Sequence, residues 1–232
     1  MLRKSLVLFS GGIDSTTALH WAVAKAKDVR ALTFDYGQRH NIEIRMAKKI
    51  ARKVGLPQTI LKIDLSQIGG SALTDKRIEV PRYIKLTRLK HGPPATYVPF
   101  RNGILLALAA AWAEVNDIRE IICGFNIIDS PDYPDTRPEF IKAIEKAVNA
   151  GTRAVFSREK MKIVAPFIRM KKSEIIRLGI SLGADYSYSI SCYAGKEVPC
   201  RSCSSCLLRR RAFAEAGVRD PLVLRLRKEG KL

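Results

Sequence analysis

Two short stretches of this 232-residue chain carry side chains at spacings that can do chemistry. The first is LVLFSGGIDSTTALH, in which an apolar strand turns through two glycines into a helix. Two glycines let the backbone approach an anion closely, and the unpaired N–H groups of the new helix point at the same place. The pattern predicts a phosphate-binding loop. Its candidate ligand-binding residues are Phe9, Ser10, Gly11, Gly12, Ile13, Asp14, Ser15 and Thr16.

Asp14 is the unusual member of this loop, because a carboxylate repels a phosphate unless a cation lies between them. We therefore expect Asp14 to be a catalytic residue, as a ligand of Mg²⁺ that bridges to a pyrophosphate group. The loop is not a Walker loop, since no lysine follows the glycines. The alternative is an ordinary tight strand-to-helix turn capped by serine or aspartate.

The second stretch holds Cys192, Cys200, Cys203 and Cys206, in the spacing C-x7-C-x2-C-x2-C. Short C-x2-C loops bring thiolates to one point, and four thiolates suit tetrahedral Zn²⁺ with no open position. We expect a structural zinc ion that contributes directly to folding. An iron–sulfur cluster is an alternative, because it also uses four cysteines, and unligated thiols are another. Cys123 stands alone in an apolar strand, where a buried cysteine is usually inert packing.

The elements that must position these residues alternate between strand and helix. Apolar runs predict strands at 6–9, 29–34, 60–65, 120–124 and 162–166. Helical periodicity predicts helices at 15–27, 42–54, 103–115, 138–148 and 172–178. This order predicts an α/β fold, Rossmann-like, in which a parallel sheet has helices on both faces and a ligand crevice beyond the carboxyl ends of its strands.

Two regions depart from this alternation. Residues 66–99 are rich in glycine, proline and basic side chains, which predicts a basic lid or insertion near 66–95. From about residue 181 the chain becomes rich in cysteine and then in arginine. We expect residues 1–185 to form the α/β domain and residues 186–232 to form a zinc-binding segment with a basic helical tail.

Composition indicates a globular protein with a strong positive charge. Lysine and arginine number 41 against 22 acidic residues, a formal net charge of +19, which favours nucleic acid, nucleotides or phosphorylated substrates as partners. No apolar run is long enough to span a bilayer, and the N-terminus enters a glycine turn instead of a cleavage site. We therefore expect a cytoplasmic protein that does not associate with membranes.

Further segments extend these motifs along nearly the whole chain. They are SGGIDSTT (10–17), LTFDYGQRH (32–40), TYVPFRN (96–102), GFN (124–126), YPDTRPEF (133–140), KKSEII (171–176), SCY (191–193), PCRSCSSCLLR (199–209) and AGVRDP (216–221). Together they resemble the 7-cyano-7-deazaguanine synthase family of PP-loop ATP pyrophosphatases. The chain differs from the family pattern at Phe100 and Arg201, where glycine is usual, at Pro131–Asp132, where serine–glycine is usual, and at Thr136, where cysteine is common.

The resemblance implies a PP-loop fold and an ATP-dependent ligase that forms a C–N bond. The family converts 7-carboxy-7-deazaguanine and ammonia to the nitrile base 7-cyano-7-deazaguanine, or preQ0, through adenylated intermediates. The product enters the biosynthesis of the deazaguanine tRNA nucleosides queuosine and archaeosine. The resemblance also implies a homodimer that uses ATP, Mg²⁺ and Zn²⁺.

Within this framework, three segments hold candidate ligand contacts. Arg101 can reach a phosphate through two N–H groups and is expected to be catalytic together with Asn102, which can cap the helix or meet the base. A surface ion pair is the alternative for Arg101. Adenine or ribose contacts are expected just past the second strand, at Asp35, Tyr36 and Gln38. Substrate-binding candidates, whose carboxylates can read the donor edge of a deazaguanine, are Asp129, Asp132, Tyr133, Asp135 and Arg137.

The remaining candidates are less specific. Lys162 and Lys171 can bind phosphate, although each is also explained as a solvated surface charge, and His40 is either a substrate contact or a polar helix start. Hydrolysis of glutamine needs an activated cysteine. Four cysteines are assigned to metal and Cys123 to a strand, so we expect free ammonia as the nitrogen source.

Two other functions fit parts of the sequence. One is a PP-loop enzyme that modifies tRNA directly, such as a thiolase, with the cysteines holding an iron–sulfur cluster. The other is an RNA-binding zinc module whose basic tail docks on phosphates, since residues 207–232 carry eight basic and three acidic side chains. Direct nucleic-acid binding is not favoured, because the tail lacks interleaved aromatic residues for base stacking.

Overall fold

The computed structural model describes residues 4–26, 28–39, 41–86, 92–129 and 132–232. The predictions for His40 and Pro131 lie outside these residues, as does the end of the helix predicted for 15–27. The strands are β1 (Lys4–Leu8), β2 (Asp28–Asp35), β3 (Gln58–Lys62), β4 (Glu120–Ile122) and β5 (Lys162–Val164). The helices are α1 (Ile13–Lys25), α2 (Asn41–Val54), α3 (Arg101–Val115), α4 (Pro138–Gly151), α5 (Lys172–Ser181), α6 (Ser204–Ala216) and α7 (Pro221–Lys228).

Within the described residues, the five strands form one parallel sheet in the order β3-β2-β1-β4-β5. The central strand β1 places Leu6 beside Arg30 of β2 and beside Ile121 of β4. The chain order reverses at β1, so the ends of β1 and β4 open a crevice of the kind that binds ligands in such sheets. The predicted α/β fold with a parallel sheet is confirmed.

Helices cover both faces of this sheet, because both faces are apolar. Consecutive residues of a strand point to opposite faces, and Leu6 and Val7 of β1 are each fully buried. Leu6 packs in a cluster with residues of α3 and α4, whereas Val7 packs in a second cluster with residues of α1, α2 and α5. A strand buried on both sides is the pattern expected of a parallel sheet.

The segment between β3 and α3 contains no strand or α-helix in its described parts, 63–86 and 92–100, yet its middle is buried. Leu73 lies in the core cluster of α3 and α4. The Ala72 N–H donates to Ala95 O at 2.8 Å, which closes the segment on itself. Near its other end the Tyr83 N–H donates to Ser202 O at 2.7 Å, so the segment also contacts the cysteine-rich region.

The C-terminal helices pack against the α/β body. Phe213 of α6 is buried in a cluster with Ile13, and Leu222 of α7 is buried in a cluster with Met46. The buried Arg209 of α6 joins the two helices by donating from Nε and Nη2 to the carboxylate of Asp220, at 2.6 and 2.8 Å. No helix in the described part of the chain has the length and apolar run that a membrane crossing requires.

Phe100 and Arg201, where the family pattern has glycine, keep a left-handed backbone, with φ of 51° and 62°. Such angles are strained for residues with a side chain. The Phe100 ring lies over Gly103, one turn into α3, and packs edge-on against Phe140 with the ring centres 5.9 Å apart. These contacts offset part of the strain at Phe100.

Candidate active site

A cavity of about 330 Å³ opens at the carboxyl ends of β1, β2 and β4. Its volume is in the range of small-molecule sites. The wall combines the strand ends, the first turns of α1, α2 and α3, and part of the cysteine-rich region. Of the residues predicted from the sequence, those that line it are Phe9, Ser10, Gly12, Ile13, Asp14, Ser15, Tyr36, Gln38, Arg101, Asn102 and Tyr133.

The N-terminus of α1 points into this cavity. Gly12 precedes the helix, and no side chain caps its first N–H groups. The hydroxyls of Ser10 and Ser15 lie beside the turn with their oxygens 3.1 Å apart, and the Gly12 N–H donates to Ser10 Oγ at 3.3 Å. Free N–H groups, hydroxyls and the positive end of the helix dipole together form a site for an anion.

Gly11 and Thr16 support this turn from behind the cavity wall. Gly11 has a φ of 79°, and a Cβ there would lie 3.1 Å from Ala47 of α2. Only glycine combines that angle with so close an approach of the neighbouring helix. Thr16 is fully buried, and its hydroxyl oxygen has no partner among the described residues.

Asp14 and Lys172 form an ion pair in the cavity wall, with Lys172 Nζ 2.6 Å from Asp14 Oδ2. The other carboxylate oxygen, Oδ1, is buried and has no partner among the described residues. An oxygen in this position suits a cation, because burying an unsatisfied carboxylate oxygen is otherwise costly. The arrangement therefore fits Mg²⁺, which often uses one or two carboxylates together with substrate phosphates.

Lys172 was missed by the sequence analysis, which named its neighbour Lys171. Lys171 is exposed and precedes the first turn of α5, whereas Lys172 opens the helix and reaches α1. Lys162 is also outside the cavity wall, and its Nζ lies 3.4 Å from a carboxylate oxygen of Glu145 on the surface. The motif KKSEII marked the correct segment, but only the start of the helix decides which lysine faces the phosphate loop.

Arg101 lies in the cavity wall next to a buried tyrosine. Its Nη1 donates to the Tyr36 hydroxyl at 3.3 Å, and the guanidinium lies 5.7 Å from the centre of that ring. Burial raises the pKa of Tyr36 above its usual value, so this hydroxyl stays protonated near neutral pH. Arg101 is the first residue of α3 and therefore presents its charge beside the anion site of α1.

The side chains of Gln38 and Asp135 hold two backbone segments beside the cavity, and Gln38 and Asn102 line it. Gln38 Oε1 accepts from the Tyr36 N–H at 2.7 Å, and Gln38 Nε2 donates to Phe34 O at 3.2 Å, which fixes the turn after β2. The Asn102 N–H donates to Asp135 Oδ2 at 2.9 Å. These side chains make the turn and the start of α3 rigid.

Glu43 of α2 also lines the cavity and was missed by the sequence analysis. Burial raises the pKa of Glu43 to about 8, although the charge of Arg101 opposes the shift. Its carboxyl group makes no hydrogen bond or ion pair within the described residues. Sequence alone gives no signal here, because an acidic residue in the first turn of a helix is ordinary.

Cys123 lines the cavity as well, but burial raises the pKa of its thiol well above the usual value. Its Sγ lies 3.6 Å from Val164 O. A thiol that does not ionise is a poor nucleophile. Cys123 follows the end of β4 instead of lying within a strand, and its burial fits the expectation that it does not hydrolyse glutamine.

Several predicted residues lie outside the cavity wall. Asp35 is half-buried at the end of β2, and Arg137 is exposed just before α4. Asp129 accepts from the Lys172 N–H and from Arg211 Nη2, both at 2.6 Å, so its charge is already engaged. Asp35, Asp129 and Arg137 therefore do not line the cavity.

Two further carboxylates, in the loop before α4, accept hydrogen bonds from backbone N–H groups. Asp132 Oδ1 accepts from the Gly92 N–H at 3.2 Å. Asp135 is buried and binds the first turn of α3 through Oδ2, while its Oδ1 is buried without a partner among the described residues. Tyr133 and Thr136 are the members of this loop that line the cavity, and the Tyr133 hydroxyl lies 3.2 Å from Thr96 Oγ1.

The four cysteines form a compact cluster. Their Sγ atoms all lie within 4.8 Å of one another, and those of Cys200 and Cys206 are 4.0 Å apart. Sulfurs bound tetrahedrally at about 2.3 Å from zinc are about 3.8 Å apart, so the cluster fits such an ion. Hydrogen bonds from Cys192 and Cys206 lower the pKa of Cys203, which favours the thiolate that a metal requires.

The cluster also shapes the cavity, because residues interleaved with the cysteines form one wall. They are Ser191, Tyr193, Ser205, Leu208 and Arg209. Arg209 Nη1 donates to Ser189 O at 2.8 Å, and the Ala194 N–H donates to Cys192 Sγ at 3.4 Å. Holding the cysteines together therefore holds this wall in place.

Comparisons with known proteins agree with this geometry. Residues 4–217 match the family model described as queuosine biosynthesis protein QueC. A 7-cyano-7-deazaguanine synthase of Trichodesmium erythraeum is 47% identical over 221 residues, covering 95% of this chain and 100% of the relative. One of Thermoplasma acidophilum is 46% identical over 220 residues, covering 95% and 91%.

Among solved structures, a complex of a 4-thiouridine synthetase with RNA and bound ATP is similar in fold. It has a TM-score of 0.52 and 20% identity, and the match covers 97% of this chain and 53% of that chain. At this level of identity the likeness concerns the fold alone.

Proposed function

The chain belongs to the QueC family of queuosine biosynthesis proteins, and from that premise we propose that it converts 7-carboxy-7-deazaguanine and ammonia to 7-cyano-7-deazaguanine at the expense of ATP. The observation that carries the proposal is the shared cavity, in which the free N-terminus of α1, the Asp14–Lys172 pair and Arg101 face the same space. The product then enters queuosine or archaeosine synthesis.

The phosphates of ATP bind at the N-terminus of α1 in this proposal. The N–H groups after Gly12 and the hydroxyls of Ser10 and Ser15 supply neutral donors, while Lys172 and Arg101 supply positive charge. Mg²⁺ bound at Asp14 Oδ1 would neutralise part of the phosphate charge. Phe9 and Ile13 shape the apolar side of the site, and Gly11 and Thr16 hold the turn.

The chemistry requires two activations, because neither a carboxylate oxygen nor an amide oxygen leaves readily. The substrate carboxylate attacks the α-phosphorus of ATP, which releases pyrophosphate and forms an acyl-adenylate. Ammonia attacks the acyl carbon, and AMP and one proton leave to give the amide. The amide oxygen then attacks the α-phosphorus of a second ATP, and loss of pyrophosphate, AMP and both amide protons gives the nitrile.

Charge builds on phosphate oxygens in both activations, so fixed positive groups contribute most to catalysis. Lys172 and Arg101 are set before the reaction begins, one by Asp14 and the other by Tyr36. The Asp135 carboxylate orients the first turn of α3 by accepting from the Asn102 N–H. Because the charges of Lys172 and Arg101 do not have to move during the reaction, they stabilise the transition state without a cost in reorganisation.

Binding of the two organic groups is proposed for two neighbouring parts of the cavity wall. Tyr36 and Gln38, with Asp35 at the rim, are placed to contact the adenine or ribose. Tyr133 is placed to stack on or hydrogen-bond to the deazaguanine. The other substrate-binding candidates would act by supporting this loop; they are Asp129, Asp132, Asp135 and Arg137.

Zinc is the metal that we propose for the four cysteines, since the cluster leaves no open position for a substrate. Four free thiols also favour a reducing compartment, so we propose a cytoplasmic location. Metal analysis and an absorption spectrum distinguish zinc from an iron–sulfur cluster, because the zinc protein is colourless and the cluster absorbs visible light.

A homodimer is a further proposal from the family resemblance. Its support in this chain is an exposed apolar group at the end of α3, where Phe156 is 91% exposed and Val115 is 76% exposed. The Arg153 N–H bonds to Glu114, which brings the two apolar residues to the same region. Sedimentation equilibrium measures the assembly state directly.

The deciding experiment supplies the zinc-loaded protein with ATP, Mg²⁺, ammonium and 7-carboxy-7-deazaguanine. We expect the nitrile by mass spectrometry, with two AMP and two pyrophosphate formed for each nitrile. Without ammonium, the reaction should stop at the acyl-adenylate, with pyrophosphate formed and no AMP released. A folded, zinc-loaded sample that makes no nitrile would show that the proposed function is wrong.

A further inference from the structure

The outer face of α2 carries a row of positive charges that the proposed reaction does not use. We call it the basic strip; its members are Arg45, Lys48, Lys49, Arg52 and Lys53. They recur every three or four residues, and all five are exposed. The opposite face of the helix is buried in the body through Met46, Ala47 and Ile50.

The basic strip is largely unneutralised. Lys53 Nζ lies 2.9 Å from Asp185 Oδ2, and Lys49 Nζ lies 5.1 Å from the centre of the Tyr188 ring. Arg45, Lys48 and Arg52 make no ion pair within the described residues. The acidic residue of α2, Glu43, lines the cavity and does not balance the strip.

Other basic helices differ from α2 because acidic residues lie among their positive charges. On α4, Lys142 and Lys146 alternate with Glu139 and Glu145. On α7, Arg225 Nη1 lies 2.7 Å from Glu197 and 3.1 Å from Glu229. The net charge of +19 is therefore unevenly distributed, and α2 is one place where it is concentrated.

The length and regularity of the strip match a nucleic-acid backbone. Nine helical residues span about 12 Å at 1.5 Å each, and the phosphates of one strand follow one another about every 3.4 Å along a duplex axis. Because the phosphates also wind around that axis, the strip can reach about two or three of them. We propose that it binds the phosphate backbone of a nucleic acid without reading the base sequence.

Two features of the surface favour this partner over others. A helix that lies on a lipid surface needs exposed apolar residues beside its charges, and the apolar residues of α2 are turned into the core. Base stacking needs a free aromatic face. The ring of Tyr188 is already covered by Lys53 and Arg225, each 4.6 Å from its centre.

The test compares wild type with Arg45→Gln/Lys48→Gln/Arg52→Gln, whose residues lie outside the catalytic wall. Fluorescence anisotropy measures binding of labelled 20-base-pair RNA and DNA duplexes between 50 and 200 mM KCl. Loss of about two or three phosphate contacts should weaken binding at least tenfold at 100 mM KCl and reduce the slope of log K against log salt by about 2 to 3.

The matched control removes the same charge elsewhere, as Lys142→Gln/Lys146→Gln/Arg158→Gln, where all three residues are exposed. It should change the affinity less than threefold. Both variants should melt as wild type and keep their zinc. The proposal is supported if wild type binds either duplex and only the α2 variant loses that binding. The duplex that wild type binds more tightly identifies the nucleic acid.

Three results would overturn the proposal. The first is equal weakening by the two triple variants, which would mean that overall charge, not the strip, binds the duplex. The second is wild-type protein that does not bind either duplex at 50 mM KCl. The third is binding to phosphatidylserine vesicles that the α2 variant loses while it keeps its affinity for both duplexes.

Discussion

The cavity has two walls that are built by different means. The phosphate-loop wall, residues 10–17, is a run of consecutive residues whose shape comes from a glycine with positive φ and the start of α1. The cysteine wall, residues 191–209, is irregular for most of its length and gathers four sulfurs from positions up to 14 residues apart. One wall is held by its own backbone, and the other requires a metal ion.

Because of this difference, we expect the phosphate-loop wall to determine activity and the cysteine wall to determine the stability of the fold. The phosphate-loop wall keeps its hydrogen bonds whether or not a ligand is bound, because its donors and acceptors are close neighbours in sequence. Without a metal, the cysteine wall would bring four ionisable sulfurs together with little to hold them. We expect damage to the first wall to remove activity and leave the fold, and damage to the second to remove both.

Cys203→Ser should have the largest effect. It removes a metal ligand that is almost fully buried, and structural zinc sites contribute about 10 kcal/mol or more to folding. We expect loss of zinc, a fall in Tm of more than about 10 °C and loss of nitrile synthesis. Metal analysis and thermal melting measure these changes.

Cys123→Ala is the control for that variant. Cys123 lies outside the cluster and makes one weak contact through its sulfur. It should keep its zinc and lose only about 1 kcal/mol. A Cys203→Ser protein that melts like wild type would show that the cysteine wall does not depend on a metal.

Asp14→Asn should have the next largest effect, confined to activity. The amide cannot supply the charge that a magnesium ion and Lys172 require, so AMP formation should fall about 10² to 10³-fold. The Tm should change by less than about 3 °C, because the side chain is 22% exposed and caps no helix. Asp64→Asn, outside the cavity, should keep full activity. Full activity in Asp14→Asn would remove Asp14 from the mechanism.

Glu43→Gln should have the smallest effect, on the pH dependence of stability. Glu43 has a pKa of about 8 in the folded protein and an ordinary value of 4.5, so the folded state holds its proton while the unfolded state loses it. Its contribution to stability is complete below pH 4.5 and is lost as the pH rises through 8. Between pH 5.5 and 8, the Tm of zinc-loaded wild type should fall by about 5 °C more than that of the variant.

The exposed Glu159→Gln should follow wild type in the same melts. Parallel Tm curves for wild type and Glu43→Gln would contradict the raised pKa. Because Glu43 lines the cavity, the size of the difference also reports how well that space excludes water.

Much of the fold could be predicted because its signals are local. Apolar runs gave strands, and helical periodicity gave helices, in the order that favours a parallel sheet. The predicted ends of three strands were wrong. β3 spans Gln58–Lys62 instead of 60–65, and β4 and β5 end at Ile122 and Val164, two residues before the predicted ends. Apolar residues after these ends face the core from the loops, so hydropathy does not mark where pairing stops.

The candidate site divides in the same way. Gly12, Asp14 and Arg101 could be assigned to a ligand site from motifs, and the structure brings them to one cavity. Lys172 could not be distinguished from Lys171, because the choice depends on the residue at which α5 begins. Glu43 carried no signal, since the burial that raises its pKa is set by packing between distant segments.

The sequence by itself therefore determined the phosphate loop, the set of four cysteines and the parallel α/β plan, since each depends on residues close together in the chain. Only the tertiary structure decided which side chains share the cavity and that the cysteine segment forms one of its walls. The tertiary structure also decided that the positive side chains of α2 lie on an exposed face of the helix. The reason is physical: spacing fixes local geometry, whereas burial, pKa and charge balance depend on neighbours that folding brings from elsewhere.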